Sequence, residues 1–420
     1  MAQLSDDCFA FGGELMRADV ALRLLDERIV VVAAPEHVAL TSARGRILAE
    51  DIVSSRNVPP HDNAAVDGYA VYFDDLQQGA DTRLKVAGRV AAGYALGRTP
   101  ERGTAVRVFT GAPMPPGPDT VFMQEDCRAD GDHVVLPYDI KRGANRRKLG
   151  EDVKQGATIL VRGHRLRAQD VGLIASIGLT QVPVFRALKV AIFSTGDELR
   201  DPGEDTPPGA VYDANRYALR AMLEQLGCVV RDFGILRDKL DVIRDALATA
   251  ARDCDAIVTS GGMSTGEEDH VRAAVSALGS IHFWRLAIRP GRPVALGQVG
   301  HVPFVGLPGN PVAMMVTFLR FARPLLLGLA GANAGEREPH LFRVRAAFEI
   351  KKKRGRREWI RARLEAGPDG VPVAVKFPRD GAGILTSLVE SDGLIELPED
   401  LAHAPADTMV DFLPFSEVAA

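Results

Sequence analysis

Cysteine is scarce: Cys8, Cys127, Cys228 and Cys254 are the only four in 420 residues, and no two form a CxxC pair. That argues against a disulfide framework and against a structural zinc site. The nine histidines supply no closely spaced ligand pair. An excess of one charge is also lacking, since 51 basic and 55 acidic residues leave a formal net charge of -4. The chain as a whole is therefore no electrostatic trap for nucleic acid, and any anion site must be local. A long unbroken apolar run is missing too. Residues 312–334 come nearest, but Arg320, Arg323 and Pro324 interrupt them, so they read as a buried helix rather than a membrane span. Asp6 and Asp7 precede any apolar run, which argues against a signal peptide. The expectation is a cytoplasmic protein with neither membrane nor nucleic acid as a partner.

What is present is ordinary globular chemistry, 46% hydrophobic and 25% charged, in a chain too long for one core. Leu15, Ala18, Leu22 and Leu25 recur at helical spacing, and residues 43–51 predict a further short helix. Residues 60–150 are rich in Gly, Pro and Val, with short alternating runs at 84–90 and 104–110 that predict a small β domain. From 189 the pattern alternates between strand and helix. Strands are predicted at 189–194, 228–236 and 255–260. A helix capped by Asp213 or Asn215 and stopped by Gly227 follows the first, and a helix at 240–251 follows the second. Such alternation implies a parallel sheet with helices on both faces. After about 338 alternating strands return. The expected fold is multidomain α/β: a split N-terminal helical or linker domain (1–58 plus 152–187), a small β-rich domain (59–151), a three-layer α/β domain (188–335) and a C-terminal β domain (336–420).

Ligands of such sheets lie beyond the carboxyl ends of the strands. Three loops meet that condition: Ser194-Thr195-Gly196-Asp197-Glu198, Thr259-Ser260-Gly261-Gly262, and Gly306-Leu307-Pro308-Gly309-Asn310-Pro311. Small residues after a buried strand let backbone N–H groups approach an anion, with the Ser260 and Ser264 hydroxyls at hand. The competing reading is a set of tight turns that bind nothing. Glu198, Asp238 and Asp269 follow the three strands, and carboxylates beside a phosphate nest suit Mg²⁺; Glu267 and Glu268 read better as helix caps. Arg285, Arg289 and Arg292 fall within eight residues. Pro290, Gly291 and Pro293 stiffen the backbone around the last two, holding their guanidiniums ready for an oxyanion. In the β-rich part, Asp62 and Asn63 have no obvious core role, and Thr110-Gly111 offers a hydroxyl and an N–H. Nothing resembles a covalent nucleophile, so catalysis would be positioning and electrostatics.

Taken in order, the segments 62–70, 110–113, 150–152, 194–198, 260–262, 284–293 and 306–311 resemble the MoeA-type molybdopterin molybdenumtransferases, a family that includes the C-terminal domain of gephyrin. The resemblance spans nearly the whole chain. It implies an elongated four-domain homodimer, with a molybdopterin-binding α/β domain. It also implies a reaction: molybdate enters the dithiolene of adenylylated molybdopterin, AMP leaves, and Mg²⁺ is required. Other molybdenum cofactor biosynthesis proteins would be partners. On this resemblance Glu198, Asp238 and Asp269 take the acidic functional positions and hold the metal, and Pro308 and Pro311 shape the pocket. Asp62, Thr110 and Asp152 act across the dimer. The chain departs from the family pattern in carrying arginine at 285, 289 and 292 where lysine is common, and Ala64 and Val66 where serine and methionine are common. Rival readings are a non-catalytic scaffold of the same fold, a molybdopterin adenylyltransferase-like enzyme, and a tungstate-handling variant.

Overall fold

The computed structural model describes residues 15–261 and 270–418, except the side chains of 282–285. It forms two compact units, one of residues 51–161 and 168–180 and one of the remainder.

The smaller unit is built on a six-stranded sheet in the order Thr120–Met123, Gly68–Val71, Thr104–Val108, Thr82–Val90, His133–Leu136, Arg128–Asp130. Alternation along the strands buries two apolar layers. Ala70, Val90, Val106 and Val121 pack on one side, and Val71, Leu84, Phe122 and Val134 on the other. The helix Ala168–Ser176 belongs to this unit and buries Ile174.

In the larger unit the N-terminal helix runs Ala18–Arg28 and buries Ala18, Ala21 and Leu25. The helix expected at 43–51 is absent. The Leu48 amide donates to His164 O at 3.0 Å and that of Ala49 to Pro183 O at 3.1 Å. The buried Ile47, Leu48 and Ala49 are thus an extended strap tied to two distant segments, and tertiary pairing overrides helix propensity. Pro35–Ala39 pairs antiparallel with Gln181–Phe185, joining stretches far apart in sequence.

The central sheet has the order Val229–Leu236, Lys189–Thr195, Ala256–Ser260, Val302–Leu307, Pro293–Val299, Gly279–Arg285. The first four strands are parallel, as the pattern implied. Pro293–Val299 is antiparallel to both of its neighbours, and Gly300-His301 turns the chain straight back from Val299 to Val302. Both faces are covered. Val190 and Ile192 pack with Leu219 and Leu223 of the helix Ala214–Gln225. Ala191 and Phe193 pack with Ile243 and Leu247 of Leu240–Asp253 and Val271 of His270–Leu278. The helical run Pro311–Leu329, with a π-helical turn at Phe318–Ala322, is the one helix among the described residues long and apolar enough to cross a membrane. It is 89% buried inside the protein and serves as a core helix.

The C-terminal strands close on themselves: Arg357–Glu365, Val373–Lys376, Phe342–Ala346, Met409–Pro414, Gly393–Leu397, and back to Arg357–Glu365. Val344, Ala362, Ile395 and Phe412 fill this barrel. The strand Phe342–Ala346 stops short of Ile350–Lys351, which pairs separately with His403–Ala404. Ile288–Arg289, arriving from the central sheet, pairs parallel with Arg357-Glu358.

Candidate functional site

The chain leaves Lys189–Thr195 for one neighbouring strand, then crosses to Ala256–Ser260 on its other side, so the topological switch point lies beyond Thr195 and Ser260. The loops converge there. The Ser260 hydroxyl is buried, accepts from Asn215 Nδ2 at 2.8 Å and donates to Pro308 O at 3.3 Å. Asn215 Nδ2 also donates to Gly309 O at 2.6 Å. A Cβ on Gly309 would lie 3.7 Å from the Cα of Gly261. Asp213 is the cap of this helix, accepting from the Arg216 amide. That frees Asn215 to tie the second and third loops together, a role the sequence reading did not separate from capping. Ser194 is 1% exposed, and its hydroxyl has no partner among the described residues. Such a buried orphan calls for a water or ligand atom.

Gly196 has φ +149°, and a Cβ there would sit 2.6 Å from Glu198 Oε2. The Glu198 carboxylate is therefore folded over the Gly196 backbone at the switch point, in the space that a side chain at 196 would take. Asp238, just beyond the end of the adjacent Val229–Leu236 strand, is exposed. Among the described residues neither carboxylate has a cation against it, whereas Asp201, Asp213 and Asp232 share the Arg216 guanidinium. No three His, Cys, Asp or Glu side chains among the described residues form a metal cage. Mg²⁺ does not need one: it is commonly held by one or two carboxylates with substrate phosphates completing its shell, so open Glu198 and Asp238 fit it. The expectations for Gly262, Ser264 and Asp269, and for the side chain of Arg285, lie outside the described residues.

Arg289 and Arg292 line a cavity of about 560 Å³ against the barrel. Seven cations (Arg289, Arg292, Lys351, Lys352, Arg356, Arg361 and Lys376) face three carboxylates (Glu349, Glu358 and Asp380), so the lining carries an excess of positive charge. Arg289 reaches Glu358 and Asp380 only loosely, at 3.5 Å each. Arg292 is exposed. Arg361 is 8% exposed and donates to Arg379 O at 3.1 Å, leaving its Nε without a partner among the described residues. Burial, with the Arg289 charge adding to it, lowers the Arg361 pKa against the opposing pull of Asp380. The turn Asn310-Pro311 links this cavity to the strand ends, because the Val312 amide donates to Ala382 O at 3.0 Å. Pro311 opens the helix Pro311–Thr317. Sequence reasoning missed Arg361, whose signal is an arginine at a buried phase of the strand Arg357–Glu365.

In the smaller unit Asp62 and Thr110 are each engaged. Asp62 accepts from the Leu149 amide and Arg146 Nε, both at 2.7 Å, and from Arg146 Nη2. Partial burial works against ionisation, but these donors hold its carboxyl below the usual range. Thr110 donates both its amide and its hydroxyl to Asp67 Oδ1 at 2.7 Å, and those bonds lower the Asp67 pKa. Asp67 was not singled out from the sequence, although it lies in the 62–70 segment. Asp152 is exposed, with its amide donating to Val58 O at 3.0 Å.

Three family models match in order: "MoeA N-terminal region (domain I and II)" at residues 16–178, "Probable molybdopterin binding domain" at 191–328, and "MoeA C-terminal region (domain IV)" at 343–415. A molybdopterin molybdenumtransferase of Haemophilus influenzae is 36% identical over 96% of this chain and 100% of its own length. The chain belongs to the MoeA family. Within that family, a molybdopterin molybdenumtransferase of Nostoc sp. is 35% identical over 90% of this chain and 89% of its own. The MoeA crystal structure from Pyrococcus horikoshii matches with a TM-score of 0.81 and 30% identity, covering 96% of this chain and all of that one.

Proposed function

We propose that this MoeA-family member inserts molybdate into adenylylated molybdopterin, releases AMP and yields molybdenum cofactor. The observation that carries the reading is the Glu198 carboxylate folded over Gly196 at the switch point, beside the buried, unpartnered Ser194 hydroxyl. Names of relatives over nearly full length support the same activity. In this mechanism Ser194, Thr195, Ser260 and the Gly196 and Gly261 backbone hold the pterin phosphate. Pro308 and Pro311 fix the third loop. Glu198 and Asp238 would hold Mg²⁺, which when bound neutralises charge on the pyrophosphate. Arg289, Arg292 and Arg361 attract molybdate into the basic cavity. The chain's own contribution is orientation and a preset field, with no covalent intermediate.

The same reading takes the protein to be a cytoplasmic homodimer, each chain's Asp62, Thr110 and Asp152 serving the other chain's molybdopterin-binding domain. The resemblance in sequence supports it. It likewise takes the domains to be those bounded at 58, 151, 187 and 335.

The test is purified full-length protein with adenylylated molybdopterin, Mg²⁺ and molybdate, following AMP release and activation of a molybdenum-free apo-enzyme. Turnover is expected, falling by about a hundredfold or more in Glu198→Gln with an unchanged circular dichroism spectrum. Absence of AMP release with either molybdate or tungstate would remove the enzyme reading and leave a scaffold.

A further inference from the structure

Glu198 lies at the root of an excursion that leaves the sheet at Thr195 and ends at Asp213, the cap of the helix Ala214–Gln225. Its two limbs run side by side, with Leu199–Arg200 pairing parallel to Val211–Tyr212. The Val211 amide donates to Glu198 O at 2.8 Å and that of Asp213 to Arg200 O at 2.9 Å. Little apolar burial holds this excursion down, since Val211 and Tyr212 are about half exposed. What fastens it is one guanidinium. Arg216 is 6% exposed, and each of its three nitrogens donates to a different carboxylate. Nε reaches Asp213 Oδ2 at 3.1 Å, on the returning limb. Nη2 reaches Asp201, on the outgoing limb three residues after Glu198. Nη1 reaches Asp232 Oδ2 at 2.6 Å, on the neighbouring strand of the sheet. Tyr217, the next residue, adds a hydroxyl to Asp201 at 3.3 Å.

We infer that Arg216 is a positioning residue for Glu198: from its buried place on the helix Ala214–Gln225 its fork ties the outgoing limb, through Asp201, to the returning limb, through Asp213, and so sets where the Glu198 carboxylate stands over Gly196. The inference rests on the role given to Glu198 above. A buried arginine with three acceptors suits this task better than lysine, because a planar fork fixes three directions and an ammonium on a flexible stem does not. The surrounding carboxylates also outnumber the guanidinium, three to one, so the arrangement is poor as a simple stability device.

The experiment compares Asp201→Asn, Asp232→Asn, Arg216→Lys and Glu198→Gln in the full-length protein. Asp201→Asn cuts the clamp on the limb that carries Glu198, at a side chain 39% exposed where folding is least at risk. Asp232→Asn removes an equal charge from beside the same guanidinium but on a strand outside both limbs, and so serves as the charge control. Amide hydrogen exchange over residues 196–204 should accelerate about tenfold or more in Asp201→Asn and Arg216→Lys, and stay within about twofold of the parent in Asp232→Asn. In the first two, kcat for AMP release should fall roughly ten- to a hundredfold, as expected for a misplacement of about 1 Å, while KM for molybdate is unchanged. Equal effects of Asp201→Asn and Asp232→Asn on exchange and kcat, or parental behaviour of Asp201→Asn, would overturn the inference. Full activity of Glu198→Gln would instead sink the role of Glu198, and the exchange data would still show whether Arg216 holds the excursion.

Discussion

Arg361 enters a buried strand position with one hydrogen bond made and its Nε unpartnered, beside the looser Arg289 and the exposed Arg292. A buried cation left part-satisfied is costly unless an anion completes it. Replacing it by methionine keeps the volume and removes the charge. We expect Arg361→Met to raise the molybdate concentration for half-maximal AMP release about ten- to a hundredfold, the loss of one charge-assisted hydrogen bond, with kcat at saturation less affected. Isothermal titration with molybdate would check it. Parity explains why Arg361 escaped notice: Arg361 and Arg363 share a strand face by alternation, yet only the first is buried, which requires knowing that the barrel closes. Arg289 and Arg292 were legible because Pro290, Gly291 and Pro293 mark a constrained turn. Asp62 was legible as a residue without a core role, but its partners Arg146 and Leu149 lie more than eighty residues away and no local pattern links them.

At the scale of elements, the strands Lys189–Thr195 and Ala256–Ser260 must start level if Thr195 and Ser260 are to end level. Asp255 sees to this at the opposite end from the site. It accepts from the Lys189 amide at 2.8 Å and takes a two-pronged ion pair from Arg186 at 2.6 and 2.7 Å. Burial opposes its ionisation, but Arg186 and the Lys189 amide prevail and hold the pKa below the ordinary carboxylate value. A depressed folded pKa gives stability that is fully present above the unfolded value of roughly 3.9 and is lost as pH falls through the folded one. Asp255→Asn should therefore lower unfolding free energy at pH 7 by about 1.5–3 kcal/mol, and the gap to the parent should shrink below about pH 4 in urea titrations. The strands and helices from 189 to 260 could be read because their runs are bounded by Gly and capping residues. The hairpin Pro293–Val299 and Val302–Leu307 was harder, since two buried strands separated by Gly300-His301 read as one apolar stretch. The strap at 47–49 mimics a helix because its three consecutive buried residues satisfy separate partners.

At the scale of the molecule, a homodimer with exchanged contributions predicts complementation. Glu198→Gln and Thr110→Ala chains, each nearly inactive alone, should recover up to about a quarter of parental turnover when unfolded together and refolded as a mixture. That follows because on average half of the dimers are mixed, and one of their two sites is then intact. Recovery absent despite mixed dimers seen by mass spectrometry would place Asp62, Thr110 and Asp152 away from the site.

The strand Ile288–Arg289 has a consequence for how this gene could be divided. It hydrogen-bonds to Arg357-Glu358 as a two-residue extension on the rim of the C-terminal barrel, though it is encoded some fifty residues before the barrel begins. A fragment starting near residue 336 would inherit all five staves and lack this rim pairing, leaving the edge at Arg357-Glu358 open. It would also leave Arg356 and Glu358 facing solvent without Arg289. Such a fragment should come out of expression as aggregate rather than as a monomer in light scattering, because an unfilled strand edge recruits its own copies. The change of pattern near residue 338 marks where a new layer begins, not where the chain could be cut and still fold.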